Sequence, residues 1–168
     1  MRIYLIGFMG AGKSHWGPLL AREGGLRFFD LDREIEESQG LTIDQLFTQK
    51  GEESFRIVEK ELLQLLTESH SEFVMACGGG TPCFLNNIEY MKRSGTVVWI
   101  NPPAEVLARR LWSERTQRPL LRSVSESDLL GFIQKKLADR RLYYEQATVR
   151  VDEEVIDVSN LLKSIQDA

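Results

Sequence analysis

The chain has 168 residues, the size of one domain, and its 42% apolar and 27% charged content is ordinary for a globular protein. No apolar run approaches the roughly 20 residues of a membrane span. A net charge of −4 and a pI near 5.3 leave no dominant basic face, which argues against nucleic acid as a partner.

Arg2–Ile6 is an apolar run that predicts a first strand at the N-terminus, too short for a signal peptide, so a cytoplasmic protein is expected. GFMGAGKS follows at residues 7–14 and fits G-x-x-x-x-G-K-[ST], the phosphate-binding loop. In that loop the backbone N–H groups of Gly10, Ala11, Gly12, Lys13 and Ser14 curl around an anion at a helix N-terminus. Lys13 then reaches the β- and γ-phosphates and the Ser14 hydroxyl ligates Mg²⁺. Residues 14–23 predict the helix; Pro18 lacks the N–H that bonds back to Ser14, so a kink or loosened turn is expected, and Gly24-Gly25 ends the helix. A second strand is expected over 26–31, with Asp30 and Asp32 pointing the same way at its end. Beside a metal and a phosphate, one carboxylate serves the metal through water and the other holds or deprotonates a hydroxyl. Equally, Asp32 caps the next helix.

Short helices are expected over 32–38 and 42–49, split at Gly40, then a longer one over 55–68 with apolar residues on one face. Arg56 near the start of that helix is a cation where the dipole disfavours one; a substrate anion or an ordinary salt bridge both explain it. A third strand over 73–77 runs into Gly78-Gly79-Gly80, which reads either as a wall that a ligand approaches closely or as a plain tight turn. A helix over 86–93 and a strand over Thr96–Ile100 follow, then a helix over 104–112. Five arginines fall between Arg109 and Arg122, and residues 115–125 have loop character. That segment reads as a mobile lid carrying Arg118 over a phosphoryl group, or as a solvated basic loop. The helix over 126–146 places Ile133, Leu137, Arg140 and Tyr144 on one face, so Arg140 needs an anion, internal or substrate. A fifth strand over 148–152 and a helix over Val158–Gln166 close the chain. Cys77 and Cys83 make no CxxC pair and read as free thiols; His15 and His70 are far apart, and no His/Cys metal cluster is visible.

Strands alternating with helices predict parallel crossovers and a three-layer α/β sandwich, with ligands at the carboxyl ends of the strands. The phosphate-binding loop, the Asp30/Asp32 pair and the triple glycine should converge there. One domain is expected over 1–168, with substrate-binding helices at about 32–60 and a lid at about 113–125.

Taken together these segments resemble the shikimate kinases. The motifs are the glycine loop at 7–14, FxDxD at Asp30 and Asp32, GExxFR at 51–56, the triple glycine at 78–80, RPLL at 118–121 and the helix bearing Arg140. The resemblance implies a nucleoside-monophosphate-kinase-like P-loop fold with a five-stranded parallel sheet in the order 2-3-1-4-5. It implies transfer of the γ-phosphoryl group of ATP to the 3-hydroxyl of shikimate, with Mg²⁺; a monomer is expected. It assigns Asp32 to the substrate hydroxyls, Asp30 and Ser14 to the metal, and Arg56 with Arg140 to the substrate carboxylate. It assigns Gly78, Gly79 and Gly80 to the ring hydroxyls, and Lys13 and Arg118 to the phosphates. His15 continues the ATP-binding loop, and Arg110 lies where the family often places an arginine against adenine.

Three departures stand out. Ser14-His15-Trp16 replaces the usual hydroxyl pair after the lysine, Ala76 stands where the family commonly has serine, and Arg141-Leu142 replaces Ala-Pro. Arg141 therefore competes with Arg140 for the carboxylate role, and the face argument favours Arg140. The rival readings are a kinase of another small polyol such as gluconate, a GTPase switch, which lacks its N/T-K-x-D segment here, and a non-catalytic ATP-binding regulator.

Overall fold

The computed structural model describes residues 1–168 apart from the side chain of Pro119, so that member of the lid motif lies outside the described residues. Five parallel strands, β1 (Arg2–Ile6), β2 (Phe28–Asp30), β3 (Phe73–Ala76), β4 (Thr96–Ile100) and β5 (Val149–Val151), form one sheet in the order β2-β3-β1-β4-β5. Seven helices connect or flank them: α1 (Lys13–Gly24), α2 (Leu31–Gln39), α3 (Ile43–Ser69), α4 (Asn87–Ser94), α5 (Ala104–Glu114), α6 (Glu126–Tyr144) and α7 (Val158–Gln166). The expected three-layer α/β sandwich and its strand order are both present.

The central strand explains why the sheet reads as continuous apolar runs. In β1 the alternating residues Ile3 and Leu5 join one core and Tyr4 and Ile6 the other, and all four are fully buried. The one hydroxyl drawn in this way, that of Tyr4, meets the side-chain oxygens of Thr67 and Ser94 at 2.9 Å each. Register then levels the carboxyl ends: Leu5 and Asp30 both pair with Ala76, so the segments after β1, β2 and β3 open on one edge. Among the described residues no helix is long and apolar enough to cross a membrane.

Three local expectations change. The second strand is only three residues long, because the Asp30 carboxylate accepts from the Arg33 N–H and starts α2 at Leu31. The capping role weighed for Asp32 thus belongs to Asp30, and Asp32 lies inside the first turn of α2. Pro18 does not interrupt α1. The helices expected over 42–49 and 55–68 are present as the two helical segments of α3, the first started by a Thr42–Gln45 capping box, but they meet at the non-helical Gly51, where φ is 82°, with no longer gap between them. Residues 115–125 hold two 3₁₀ turns, Arg115–Gln117 and Pro119–Leu121, and buried Leu121 anchors the second to the core while Leu120 stays exposed.

Candidate active site

The glycine loop bridges β1 and α1. Gly12 caps the helix at φ 103°, and a Cβ on Gly7 would lie 2.4 Å from the Ile100 carbonyl oxygen, so neither position tolerates a side chain. Lys13 is buried, and its Nζ donates to the carbonyls of Gly7 at 2.6 Å and Phe8 at 2.9 Å. Burial pulls its pKa down to about 8, partly opposed by the nearby Asp32 carboxylate. Arg110 on α5 braces the loop from outside, donating to the carbonyls of Gly10 and Ala11 at 3.1 and 3.3 Å. The Ser14 hydroxyl donates to Asp30 at 2.8 Å. That is a pair of hard oxygen donors, the kind a small divalent cation takes when phosphates and waters supply the rest. Among the described residues no group of three His, Cys, Asp or Glu side chains forms a self-sufficient metal cage.

Two clefts open along the carboxyl edge, of about 820 and 520 Å³. The first is lined by the glycine loop with Lys13, Ser14, His15, Asp30 and Arg110; the second by Arg56, Gly80, Arg140, Glu59 and Leu120. Met9, Asp32, Gly78, Gly79 and Arg118 line both. Every expected site residue therefore borders one cleft or the other except Ala11, which is buried beneath the loop. Ala76 lines the first cleft without offering a hydroxyl.

The triple glycine earns its sequence side by side with three charged groups. A Cβ on Gly78 would lie 3.1 Å from an Asp32 carboxylate oxygen, one on Gly79 3.0 Å from Arg140 Nη1, and one on Gly80 2.5 Å from Arg56 Nη2. Each glycine thus lets one charged side chain pack against bare backbone. Burial, then the carboxylates of Glu59 and Asp30, push Asp32 up to about 6. Tyr144 hydrogen-bonds the Gly79 carbonyl at 2.6 Å and holds the turn from α6. Arg140, one turn earlier on the same face, lies over the Phe8 ring at 5.4 Å, whereas Arg141 is exposed and pairs with Glu145. The two arginines thus face different ways, Arg140 to the second cleft and Arg141 to solvent.

Arg56 donates to Glu59 at 2.9 Å and lies 3.4 Å from Glu52, so it makes the structural salt bridge and lines the second cleft at once. Arg118 donates from Nε and Nη2 to Glu114, one helical turn back, at 3.1 and 2.9 Å. Sequence reasoning missed Glu59, Tyr144 and Glu114. Glu59 follows Arg56 by three and Glu114 precedes Arg118 by four, spacings that put ion pairs on one helical face.

A glycine loop after β1 of a 2-3-1-4-5 sheet, facing a second cleft across a shared wall of carboxylate and arginine, defines a P-loop kinase of a small anionic acceptor. A family model described as shikimate kinase matches residues 9–167. The chain is 41% identical to a shikimate kinase of Bacteroides fragilis, covering 99% of this chain and 93% of that one. Its structure superposes on shikimate kinase from Bacteroides thetaiotaomicron with a TM-score of 0.89 at 37% identity, covering 99% and 97% of the two chains. It superposes on shikimate kinase from Acinetobacter baumannii in complex with shikimate with a TM-score of 0.86 at 34% identity, covering 99% and 90%. The chain belongs to the shikimate kinase family.

Proposed function

We propose that this chain transfers the γ-phosphoryl group of ATP to the 3-hydroxyl of shikimate, giving shikimate 3-phosphate and ADP for aromatic amino-acid synthesis through chorismate. The observation that carries this reading is the glycine turn at 78–80, which gathers Asp32, Arg140 and Arg56 on the wall of the second cleft. Two arginines suit a ring carboxylate, and one carboxylate suits a ring hydroxyl; AMP and gluconate offer no such combination of a carboxylated ring with a neighbouring hydroxyl. The catalyst acts as a cytoplasmic monomer. A coupled assay with ATP and a panel of shikimate, gluconate and AMP tests it: turnover confined to shikimate is expected, and preference for either alternative rejects the assignment.

ATP lies in the larger cleft with its phosphates on the backbone N–H groups of Gly10 to Ser14 and on His15. Ser14 and Asp30 would hold Mg²⁺, which would supply positive charge against the phosphates. Before substrates arrive both mobile cations have internal partners: Lys13 the carbonyls of Gly7 and Phe8, Arg118 the Glu114 carboxylate. A triphosphate offers both a stronger partner, so nucleotide binding draws Lys13 off the loop and Arg118 off α5. Arg56 and Arg140 fix the shikimate carboxylate, which aims the 3-hydroxyl at the wall shared by the two clefts. There Asp32 accepts the hydroxyl hydrogen while Lys13 and Arg118 meet the charge spread over the phosphoryl oxygens.

Two of these roles separate by kinetics. Arg140→Lys keeps the charge and loses the planar fork, so the KM for shikimate should rise about 10-fold or more while the KM for ATP stays nearly constant. Equal losses for both substrates would mark Arg140 as structural. Arg118→Ala should lower kcat roughly 10²-fold with smaller changes in either KM, because its charge matters most in the transition state. A variant altered only in its KM for ATP contradicts that role.

A further inference from the structure

Behind Arg56 lies a polar chain that starts at Glu59, on the edge of the second cleft, and runs inward to Thr81 and Asn87. Glu59 is fully buried, and its two carboxylate oxygens are divided: one accepts from Arg56 Nη1 at 2.9 Å, the other from the Thr81 hydroxyl at 2.8 Å. Thr81, also fully buried, opens the 3₁₀ turn Thr81–Cys83 directly after the triple glycine. Its carbonyl accepts from the Asn87 side-chain amide at 3.0 Å, and Asn87, 1% exposed, is the first residue of α4. The Glu59 carboxylate of α3 is therefore tied to the glycine turn through the Thr81 hydroxyl, and that turn to α4 through the Thr81 carbonyl and Asn87.

The physical consequence concerns the plane of the carboxylate. A buried ion pair is tolerated when its remaining lone pairs are also satisfied. With Thr81 on the second oxygen, Glu59 cannot rotate about its terminal torsion without breaking a bond in a place where water does not replace it. The Arg56 guanidinium inherits that orientation. Aromatic rings cover it as well, Phe84 at 4.1 Å and Phe55 at 5.0 Å from Cζ, but a ring face offers no directional partner within the guanidinium plane; its Nε is buried with no hydrogen-bond partner, and its contact with Glu52 is longer, at 3.4 Å, and exposed. Its Nη2 packs against Gly80, one residue before Thr81, so the hydroxyl that orients Glu59 also fixes the backbone against which Arg56 rests.

We propose that Thr81 is a positioning residue for the substrate carboxylate: through Glu59 it sets the orientation of Arg56, and with Asn87 it keeps the glycine turn at the matching height. The inference rests on the reading of Arg56 as a carboxylate-binding group. A specific consequence is that ATP and shikimate respond differently. The relay ends on the second cleft and does not reach the phosphate-binding loop, so its loss should appear in the KM for shikimate and leave the KM for ATP alone.

The test is Thr81→Val, which keeps the shape and removes the donor, compared with Thr81→Ser, which keeps the donor and removes the methyl group. Steady-state constants for both substrates and a thermal melt are measured on each, beside Arg56→Ala. The valine variant should raise the KM for shikimate about tenfold, the worth of one hydrogen bond to a charged group, with the KM for ATP within about twofold of the parent. Serine should restore the parental value although it leaves a small void. If valine prevents folding, Thr81→Ala, which leaves room for a water beside Glu59, serves the same comparison. An unchanged KM for shikimate in the valine or alanine variant, with Arg56→Ala impaired, overturns the positioning role and leaves the carboxylate clamp standing. A matching rise in both KM values that serine shares makes Thr81 a structural residue only. Arg56→Ala with a parental KM for shikimate removes the clamp, and the proposal falls with it.

Discussion

Replacing Lys13 by alanine is expected to lower turnover on shikimate by at least about 10³-fold, the scale at which a cation on a transferring phosphoryl group contributes, while the melting temperature stays within a few degrees of the parent. The side chain is buried, yet it packs no apolar core; it folds over the loop and satisfies the carbonyls of Gly7 and Phe8. Alanine leaves those carbonyls facing the cleft, where water reaches them, so the loop softens without the sheet losing anything. ATP affinity should fall as well, because the loop loses the strap that shapes it. Circular dichroism confirms folding and a coupled assay gives the rate. Near-normal turnover by a folded Lys13→Ala enzyme would sink the phosphate-loop assignment.

Asp32→Asn should slow the reaction by roughly 10²- to 10⁴-fold, the span of a positioned general base, and it should not cost stability. Asp32 lies within the first turn of α2, where either residue is accommodated, and the capping bond to Arg33 comes from Asp30. The carboxylate is in fact held at the expense of the fold. Its pKa is pushed up to about 6 from an ordinary 3.8 by burial and by Glu59 and Asp30. For an acid the sign follows directly: between about 4 and about 6 the unfolded chain has released the proton that the folded one keeps, so stability contributed by Asp32 declines across that window and stays lost above it. Asparagine has no charge to suppress. Its melting temperature at pH 8 should match or exceed the parent's, and the difference should vanish below pH 4. A slow, stable variant identifies a carboxylate kept for chemistry; full turnover on shikimate by Asp32→Asn removes Asp32 from the mechanism.

The layers and the convergence of the site were legible because each rests on local chemistry that repeats. Apolar runs of strand length, glycines at strand ends and a 3.6-residue face in α6 need only neighbours in sequence, and they placed the loop at 7–14, the turn at 78–80 and Arg140 correctly. The order of the strands came from family resemblance, since periodicity does not say which parallel strand pairs with which. The division of labour between Asp30 and Asp32 was not legible: whether β2 ends at 30 or 31 decides which carboxylate caps, and a one-residue difference in a strand end leaves no trace in composition. Thr81 and Glu59 were invisible for a stronger reason. Their bond joins residues 22 apart across two elements, and a threonine after three glycines looks like any turn residue until the helix carrying Glu59 is laid beside it.

Met9, Asp32, Gly78, Gly79 and Arg118 border both clefts, so only a wall one residue thick stands between them. On the roles proposed above, an inhibitor can be built as one molecule: a polyphosphate mimic for the glycine loop and a carboxylated ring for Arg56 and Arg140, joined by a bridge no longer than the phosphoryl group it replaces. Once either end docks, the other is confined near its cleft at an effective concentration on the order of millimolar, so two weak halves combine into tight binding without any new contact. Leu120, exposed in the second 3₁₀ turn and bordering the second cleft, offers such a bridge an apolar cover. Two clefts divided by so thin a wall are open to antagonists that resemble neither substrate alone.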